Sequence, residues 1–319
     1  MTLVLMLACG STPTLLPSVD PAAHSLLAEA PAEATLLASL ELAETLQSPL
    51  LEGWRARHAL EIERLDTQWQ GRFGATLNGT DRALLGCNQS GCSWHLQGDY
   101  SALDLGAVGA QLARPEAGVN GVRRVQRQDA LLFRSQDGTP LRLQRVAADR
   151  LLLGHGPAVK AMASATTGLG VTGLEGAIPQ GDVWVVARDP EQLREQVLGY
   201  LAWRDTDDAR DGTARVEALW ADRPELVDDI ELIALSLSLE EPSRVAVRAS
   251  CWDVEGAERV FGFLEPLLAA QRLESALDPR ARELLGHVEL VREGRRVELR
   301  TQDRFGILEF LLSVAGSSL

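Results

Sequence analysis

The chain has 319 residues, of which 45% are hydrophobic and 24% are charged, as is typical of a globular protein and not of a disordered or fibrous one. Its 45 acidic residues outnumber its 31 basic residues, for a formal net charge of −14. This balance argues against nucleic acid as a partner, because phosphate binding requires clustered Lys and Arg. A length about twice that of a common domain indicates one large domain or two medium ones.

The N-terminus has the pattern of a bacterial lipoprotein signal. An apolar run ends in Leu7 and Ala8 and is followed by Cys9 and Gly10. The peptidase that cuts such signals requires a Cys directly after the cut, and the thiol of that Cys receives the diacylglycerol. We therefore expect residues 1–9 to be a partial signal, with lipid attached to Cys9. The run lacks a basic flank and is shorter than a usual signal core, which a start codon further upstream would supply.

The alternative is an ordinary buried N-terminal segment with Cys9 in the core. The residues that follow favour the signal, because the stretch between Gly10 and His24 is rich in Ser, Thr and Pro. We expect residues 10–30 to form a tether. No later run of about 18 apolar residues occurs. One lipidated Cys would therefore anchor the protein to a membrane without a spanning helix.

A first structural unit is predicted over residues 31–167. It opens with a strand at residues 34–40, followed by a helical pattern from Leu42 to Leu65. A hairpin comes next, with strands at 83–87 and 92–98 around a turn-forming Asn-Gln-Ser-Gly loop. A helix through Leu112 and further antiparallel strands complete the unit. Those strands are expected at 122–127, 130–133, 141–146 and 151–153, before a last helix from Pro157 to Thr166.

Cys87 and Cys92 would face each other across the neck of the predicted hairpin, at a separation that a disulfide can bridge. Such a bond persists outside the cytosol, so it would indicate an extracytoplasmic protein. Two alternatives stay open. The pair could be free thiols, or it could take part in redox or metal chemistry. Cys251 has no partner nearby in the sequence and is expected to be a small core residue.

The chain then repeats the same order of elements. After a Gly-rich linker at 168–181, a second unit over 182–319 has strands at 182–187, 231–239, 244–250, 287–292 and 296–300. Helices are expected to end near Trp203 and Leu268 and to run from Asp303 to Val314. Both units therefore follow strand, helix, strand, strand, helix, closing antiparallel strands and a last helix, with four closing strands in the first unit and two in the second. We predict an α+β fold of two similar units, each a ferredoxin-like, split βαβ antiparallel sheet with helices on one face.

The sequence contains none of the common catalytic or cofactor-binding motifs that we sought. It has no phosphate-binding loop, no Gly-x-Ser-x-Gly elbow and no His-Glu-x-x-His. The best catalytic candidate is His95 with Asp99, which lie four positions apart at a strand–helix junction. A strand would separate them by about 13 Å. We therefore assign no catalytic, cofactor or metal residues, and a hydrolase site near His95 is only a second alternative function.

Four features of the sequence belong together, namely Leu7-Ala8-Cys9, the Ser/Pro tether, the Cys87–Cys92 hairpin and the junction at Gly98–Leu103. With them the chain resembles predicted lipoproteins of unknown function from GC-rich Gram-negative bacteria of the myxobacterial kind. The resemblance implies a lipid-anchored protein on the periplasmic side or the cell surface. Its expected role is non-catalytic, either binding or structural, with an envelope protein as a possible partner. An alternative is the binding of an apolar ligand between the two units.

Overall fold

The described part of the chain forms one twelve-stranded antiparallel sheet, with α-helices packed against one of its faces. The computed structural model describes residues 14–18, 34–73, 76, 79–88, 91–114, 117–136, 138–155, 157–159, 177–188, 226, 228–239, 243–274 and 286–302. A single antiparallel sheet packed against helices is an α+β arrangement, so the predicted α+β class is confirmed. Within these ranges, none of the helices combines the length and the apolar character that crossing a bilayer requires.

The strands and helices keep to the predicted order wherever the structure describes the chain. The strands are β1 Leu36–Glu41, β2 Thr80–Asn88, β3 Gly91–Gly98, β4 Val119–Val125, β5 Ala130–Ser135, β6 Pro140–Ala147, β7 Arg150–His155, β8 Val183–Ala187, β9 Ile230–Ser238, β10 Arg244–Cys251, β11 Glu289–Glu293 and β12 Arg296–Gln302. The helices are α1 Leu42–Gln47, α2 Glu52–Arg57, α3 Ala59–Phe73, α4 Leu105–Leu112 and α5 Val254–Glu274. Single 3-10 turns occur at Pro49–Leu51 and Gln126–Gln128.

Near the middle of the sheet β1 pairs antiparallel with β8, with Ala38 opposite Val185, so that five strands lie on the β8 side of this pair and seven on the β1 side. The full order is β11-β12-β10-β9-β8-β1-β2-β3-β7-β6-β5-β4. The split βαβ arrangement is not confirmed. In that arrangement the strands before and after a helix are parallel and one strand apart, whereas β1 and β2 are adjacent and antiparallel.

The helix face of the sheet holds two apolar cores. Under α4, Val108 packs against strand residues that include Leu96 and Leu143. Under α5, Val260 packs with Cys251 and other buried strand residues. Successive side chains of a strand point to opposite faces of the sheet. The strand residues that contact α4 and those that contact α5 point to the same face, so both helices lie on the same side of the sheet.

Local sequence explains where the helices begin and break. The predicted helix over 42–65 is interrupted at Ser48, which precedes Pro49 and takes an extended conformation (ψ 130°) that a residue before proline favours. Asp104 caps α4 by accepting a hydrogen bond from the Gly106 amide at 2.7 Å. Asp253 caps α5 in the same way through Gly256 at 2.6 Å.

Several expectations lie outside the described residues. They are the signal and Cys9, the helix ending at Trp203, the helix from Asp303 to Val314, most of the helix after Pro157, and linker residues 168–176.

Candidate functional site

The opposite face of the sheet, which we call the polar face, carries polar side chains that are nonetheless buried. Ser93, His95, Gln144, Arg248 and Glu298 all point to it and are between 0% and 9% exposed. Strand alternation ordinarily directs such residues to solvent. Short segments of chain are buried against this face, where Ala177 and Ile178 pack with Leu84 and Trp184, and Val159 packs with Leu152.

An ion pair lies at the most buried point of the polar face. Arg248 of β10 is directly opposite Glu298 of β12, and both side chains are 0% exposed. The Arg248 Nε donates to Glu298 Oε2 at 2.9 Å, and Nη2 donates to the same oxygen. A buried pair of this kind is stable only when its remaining donors and acceptors are also hydrogen bonded.

The segment Thr14–Ser18, here called the strap, supplies those hydrogen bonds. The Leu16 amide donates to Glu298 Oε1 at 3.0 Å, and the Leu16 carbonyl accepts from Arg248 Nη2 at 2.6 Å. The Ser18 hydroxyl oxygen accepts from Arg248 Nη1 at 2.8 Å. A segment predicted to be part of a loose tether is therefore built into the sheet through backbone and hydroxyl groups.

Two further contacts hold the ends of the strap. Arg300 donates from Nη1 to the Thr14 carbonyl at 2.6 Å. On the other side, the Gln180 amide donates to the Pro17 carbonyl at 2.9 Å, and Ser18 forms a bridge with Pro179. The end of the predicted linker and the predicted tether thus meet on the polar face.

A cleft lies on each side of the strap. The first, of about 390 Å³, is lined by Leu16, Arg244, His287, Glu289 and Arg300 among others. The second, of about 320 Å³, is lined by Leu15, Glu231, Ser250, Arg295 and Arg296 among others.

Both of these clefts contain arginines that already have carboxylate partners. Arg300 pairs with Glu289 at 2.8 Å in the first cleft, and Arg295 lies 3.8 Å from Glu231 in the second.

The structure does not bring His95 and Asp99 together. His95 is fully buried on the polar face, and burial lowers the pKa of its imidazole to about 4, an effect that the charge of Asp149 opposes only in part. Asp99 lies past the end of β3, is exposed, and accepts hydrogen bonds from the amide and hydroxyl of Ser101 at 3.0 and 2.6 Å. Those bonds lower the pKa of the Asp99 carboxyl.

Cys87 and Cys92 form a disulfide across the β2–β3 hairpin, with their Cα atoms 4.0 Å apart. The structure thus favours the disulfide among the alternatives that the sequence left open. Cys251 is a buried free thiol, and burial raises its pKa to about 11. It is the core residue that the sequence predicts. Over the described ranges, no three His, Cys, Asp or Glu side chains are grouped to hold a metal ion.

Sequence reasoning missed the Arg248–Glu298 pair. Both residues alternate with apolar neighbours in their strands, as solvent-facing residues do, and nothing local marks them as buried. Comparison with protein-family models, with curated proteins and with solved structures gives no match.

Proposed function

We propose that the chain is a lipid-anchored extracytoplasmic protein with a non-catalytic binding or structural role in the cell envelope. The Cys87–Cys92 disulfide carries the extracytoplasmic part of this proposal, and the strap relates Cys9 to the protein body. A free tether needs no specific contacts with the protein body. Here the segment after Cys9 donates to and accepts from three charged side chains of the sheet, namely Arg248, Glu298 and Arg300.

The position of the strap relates the lipid to the body. Thr14 follows Cys9 by five positions. At about 3.5 Å per residue, a lipidated Cys9 could lie no further than about 18 Å from Thr14. The β10–β12 side of the polar face would therefore be held close to the membrane surface, and the β4–β6 side would be directed away from it.

The Cys87–Cys92 disulfide supports the extracytoplasmic part of the proposal, because the bond persists in oxidising compartments. The short segment that it closes gives the disulfide only a modest effect on stability, about 2 kcal/mol. We therefore regard it as support for the compartment and not as a main source of stability.

The two alternative functions have less support. An apolar ligand between the units would need a space at the centre of the sheet, and there β1 and β8 are hydrogen bonded, with Leu37, Trp184 and Val186 packed in a buried core. A hydrolase would need His95 to exchange protons with a substrate, and its ring is fully buried.

We also propose that the two halves arose by duplication. Outward from the centre, β1-β2-β3-β7-β6 corresponds to β8-β9-β10-β12-β11, and α4 and α5 each follow the third strand of their half. The β4–β5 hairpin would then be an addition to the first half.

Metabolic labelling with a radioactive or alkyne fatty acid tests the anchor. We expect the full-length protein to be labelled and the Cys9→Ala variant to be unlabelled, whereas Cys251→Ala should be labelled like the wild type. Label that survives Cys9→Ala would refute the anchor. In parallel, alkylation of freshly isolated protein should leave Cys87 and Cys92 unmodified until a reductant is added. Rapid alkylation of both without reductant would contradict the extracytoplasmic assignment.

A further inference from the structure

A third cleft, of about 530 Å³, also lies on the polar face, at the far end of the sheet from the strap. We call it the arginine cleft. Its lining includes Arg123 of β4, Arg134 of β5 and Arg142 of β6, together with Leu132, Pro140 and Pro157. Leu132 pairs with Arg123 on one neighbouring strand and with Arg142 on the other. The three strands therefore present two guanidinium groups with a leucine between them.

Arg142 is the buried member of this group. Arg142 is only 3% exposed. Its Nε donates to Gln144 Oε1 at 2.8 Å, and its Nη2 donates to Gln128 Oε1 at 2.7 Å. Both acceptors are neutral amides, which orient the guanidinium without neutralising it. Burial without a counter-charge accordingly lowers the pKa of Arg142.

The other two arginines are also without carboxylate partners among the described residues. Arg134 donates to the Gly138 carbonyl at 2.9 Å, and Arg123 makes no ion pair there. This is unexpected in a chain of net charge −14, where 45 acidic residues are available to pair with 31 basic ones. Beside the strap, Arg300 and Arg295 do have such partners.

The backbone of β4 positions Arg123 at the cleft. The register of β4 against β5 shifts between Asn120 and Arg123, around Gly121, whose φ of +64° is one that glycine adopts readily. Bulges of this kind change the direction of the side chains that follow them. Leu132, Pro140 and Pro157 give the same cleft an apolar part.

From this geometry we infer that the arginine cleft binds a small organic oxyanion, a carboxylate or phosphate with an apolar body. Guanidinium groups bind both oxyanions through paired N–H donors. The apolar part of the ligand would lie on Leu132 and the two prolines. This inference deepens the binding role proposed above by naming a ligand class, and the site does not depend on the lipid anchor.

Isothermal titration of the full-length protein tests the inference with octyl phosphate, octanoate, inorganic phosphate and octanol as probes. We expect saturable binding of the two amphiphilic anions, weaker binding of inorganic phosphate, and none of octanol. Arg142→Gln should weaken anion binding about tenfold or more, the effect of losing a charge-assisted hydrogen bond.

Because Arg142 is buried, a second variant guards against misfolding. Arg123→Gln/Arg134→Gln changes only exposed side chains and should also weaken binding about tenfold. The control Arg57→Gln/Arg114→Gln removes the same charge from exposed positions on or next to the helices and should bind like the wild type.

Vesicles containing phosphatidylglycerol distinguish a lipid headgroup from a free ligand. Binding of octyl phosphate that the cleft variants lose supports a soluble ligand. Binding to vesicles alone, lost in the same variants, supports the same site with a lipid as its source. Equal anion affinity in the wild type and both cleft variants, or equal affinity for octanol, would overturn the inference. Fatty-acid labelling of Cys9 is independent of these results, so failure of the anchor would not be confused with failure of the site.

Discussion

Two arginines are buried on the same face of the same sheet, and their surroundings differ in charge. Arg248 and its partner Glu298 are both 0% exposed, and the strap completes their hydrogen bonds. Arg142 is nearly as buried, but its donors meet two glutamine oxygens, and no carboxylate of the described residues pairs with it beside an open cleft. The first arrangement fits a structural role, and the second fits a site that a ligand completes.

The difference shows why burial alone does not identify a functional residue. A buried charge costs free energy unless something compensates it. At Arg248 the compensation lies within the chain. At Arg142 the amides compensate only in part, and the remaining attraction is available to an anion from outside. The predictions below test this distinction, beginning with the largest expected effect.

Arg248→Met should destabilise the protein by about 3–5 kcal/mol, because it removes the hydrogen-bonded counter-charge of the buried Glu298 carboxylate and leaves only Arg300, whose Nη1 lies 3.6 Å from Oε1. Urea denaturation followed by circular dichroism measures the change. Adding Glu298→Leu to the same variant should recover much of the loss. As a control, Arg259→Met disrupts an exposed ion pair with Asp229 and should cost less than about 1 kcal/mol. Similar costs for the two single variants would contradict the structural role of the buried pair.

His95 should make the protein lose stability on mild acidification. Its folded pKa, about 4, is below the unfolded value of 6.5, so between those values the unfolded chain binds a proton that the folded protein does not. The free energy of unfolding should fall by about 3 kcal/mol more in the wild type than in His95→Gln between pH 6.5 and pH 4. His287→Gln, at an exposed position, is the matched control. Parallel pH profiles for the wild type and His95→Gln would show that His95 does not contribute.

Ser18→Ala should destabilise the protein by about 1–2 kcal/mol, because it removes the hydroxyl oxygen that accepts a hydrogen bond from Arg248. The urea concentration at the midpoint of unfolding would measure this loss of stability, provided that the dependence of the unfolding free energy on urea concentration is unchanged. Ser101→Ala, in an exposed turn, should change stability by about 0.5 kcal/mol or less. If Ser18→Ala had no larger effect than Ser101→Ala, the strap would contribute little to the stability of the buried pair.

Arg142→Met should have the smallest effect on stability, within about 1 kcal/mol. It leaves behind only the neutral Gln144 and Gln128 oxygens, and an amide oxygen that loses its donor costs less than an unpaired buried carboxylate. The same substitution at Arg248 is its natural comparison. A loss above about 3 kcal/mol would mean that Arg142 is structural, and it would weaken the distinction between the two regions.

Much of the fold follows from local sequence patterns. The Cys87–Cys92 hairpin has turn residues between two apolar runs, and the predicted strands overlap the observed ones wherever the structure describes them. Periodicity was less informative about the helices. It does not show the break before Pro49, and it ends α5 near Leu268, whereas the structure continues the helix to Glu274.

The polar face could not be predicted because its contacts are distant in sequence. Leu16 meets Glu298 across 282 positions, and a Ser/Pro-rich segment gives no sign that it will dock. The arginine cleft gathers three strands, and Arg142, the buried arginine among them, lies between Leu141 and Leu143, as an exposed residue does. Only the pairing of those strands reveals that Arg123, Arg134 and Arg142 share one cleft.

The bulge in β4 also bears on self-association. β4 and β11 are the outermost strands of the described sheet, where unpaired amide and carbonyl groups could recruit a strand from another molecule. β4 is interrupted at Gly121, and β11 has only five residues, among them Glu289, Arg292 and Glu293. Short, charged or bulged edge strands oppose such pairing. The width of the sheet is therefore limited by its own edges, and neighbouring copies are discouraged from extending it.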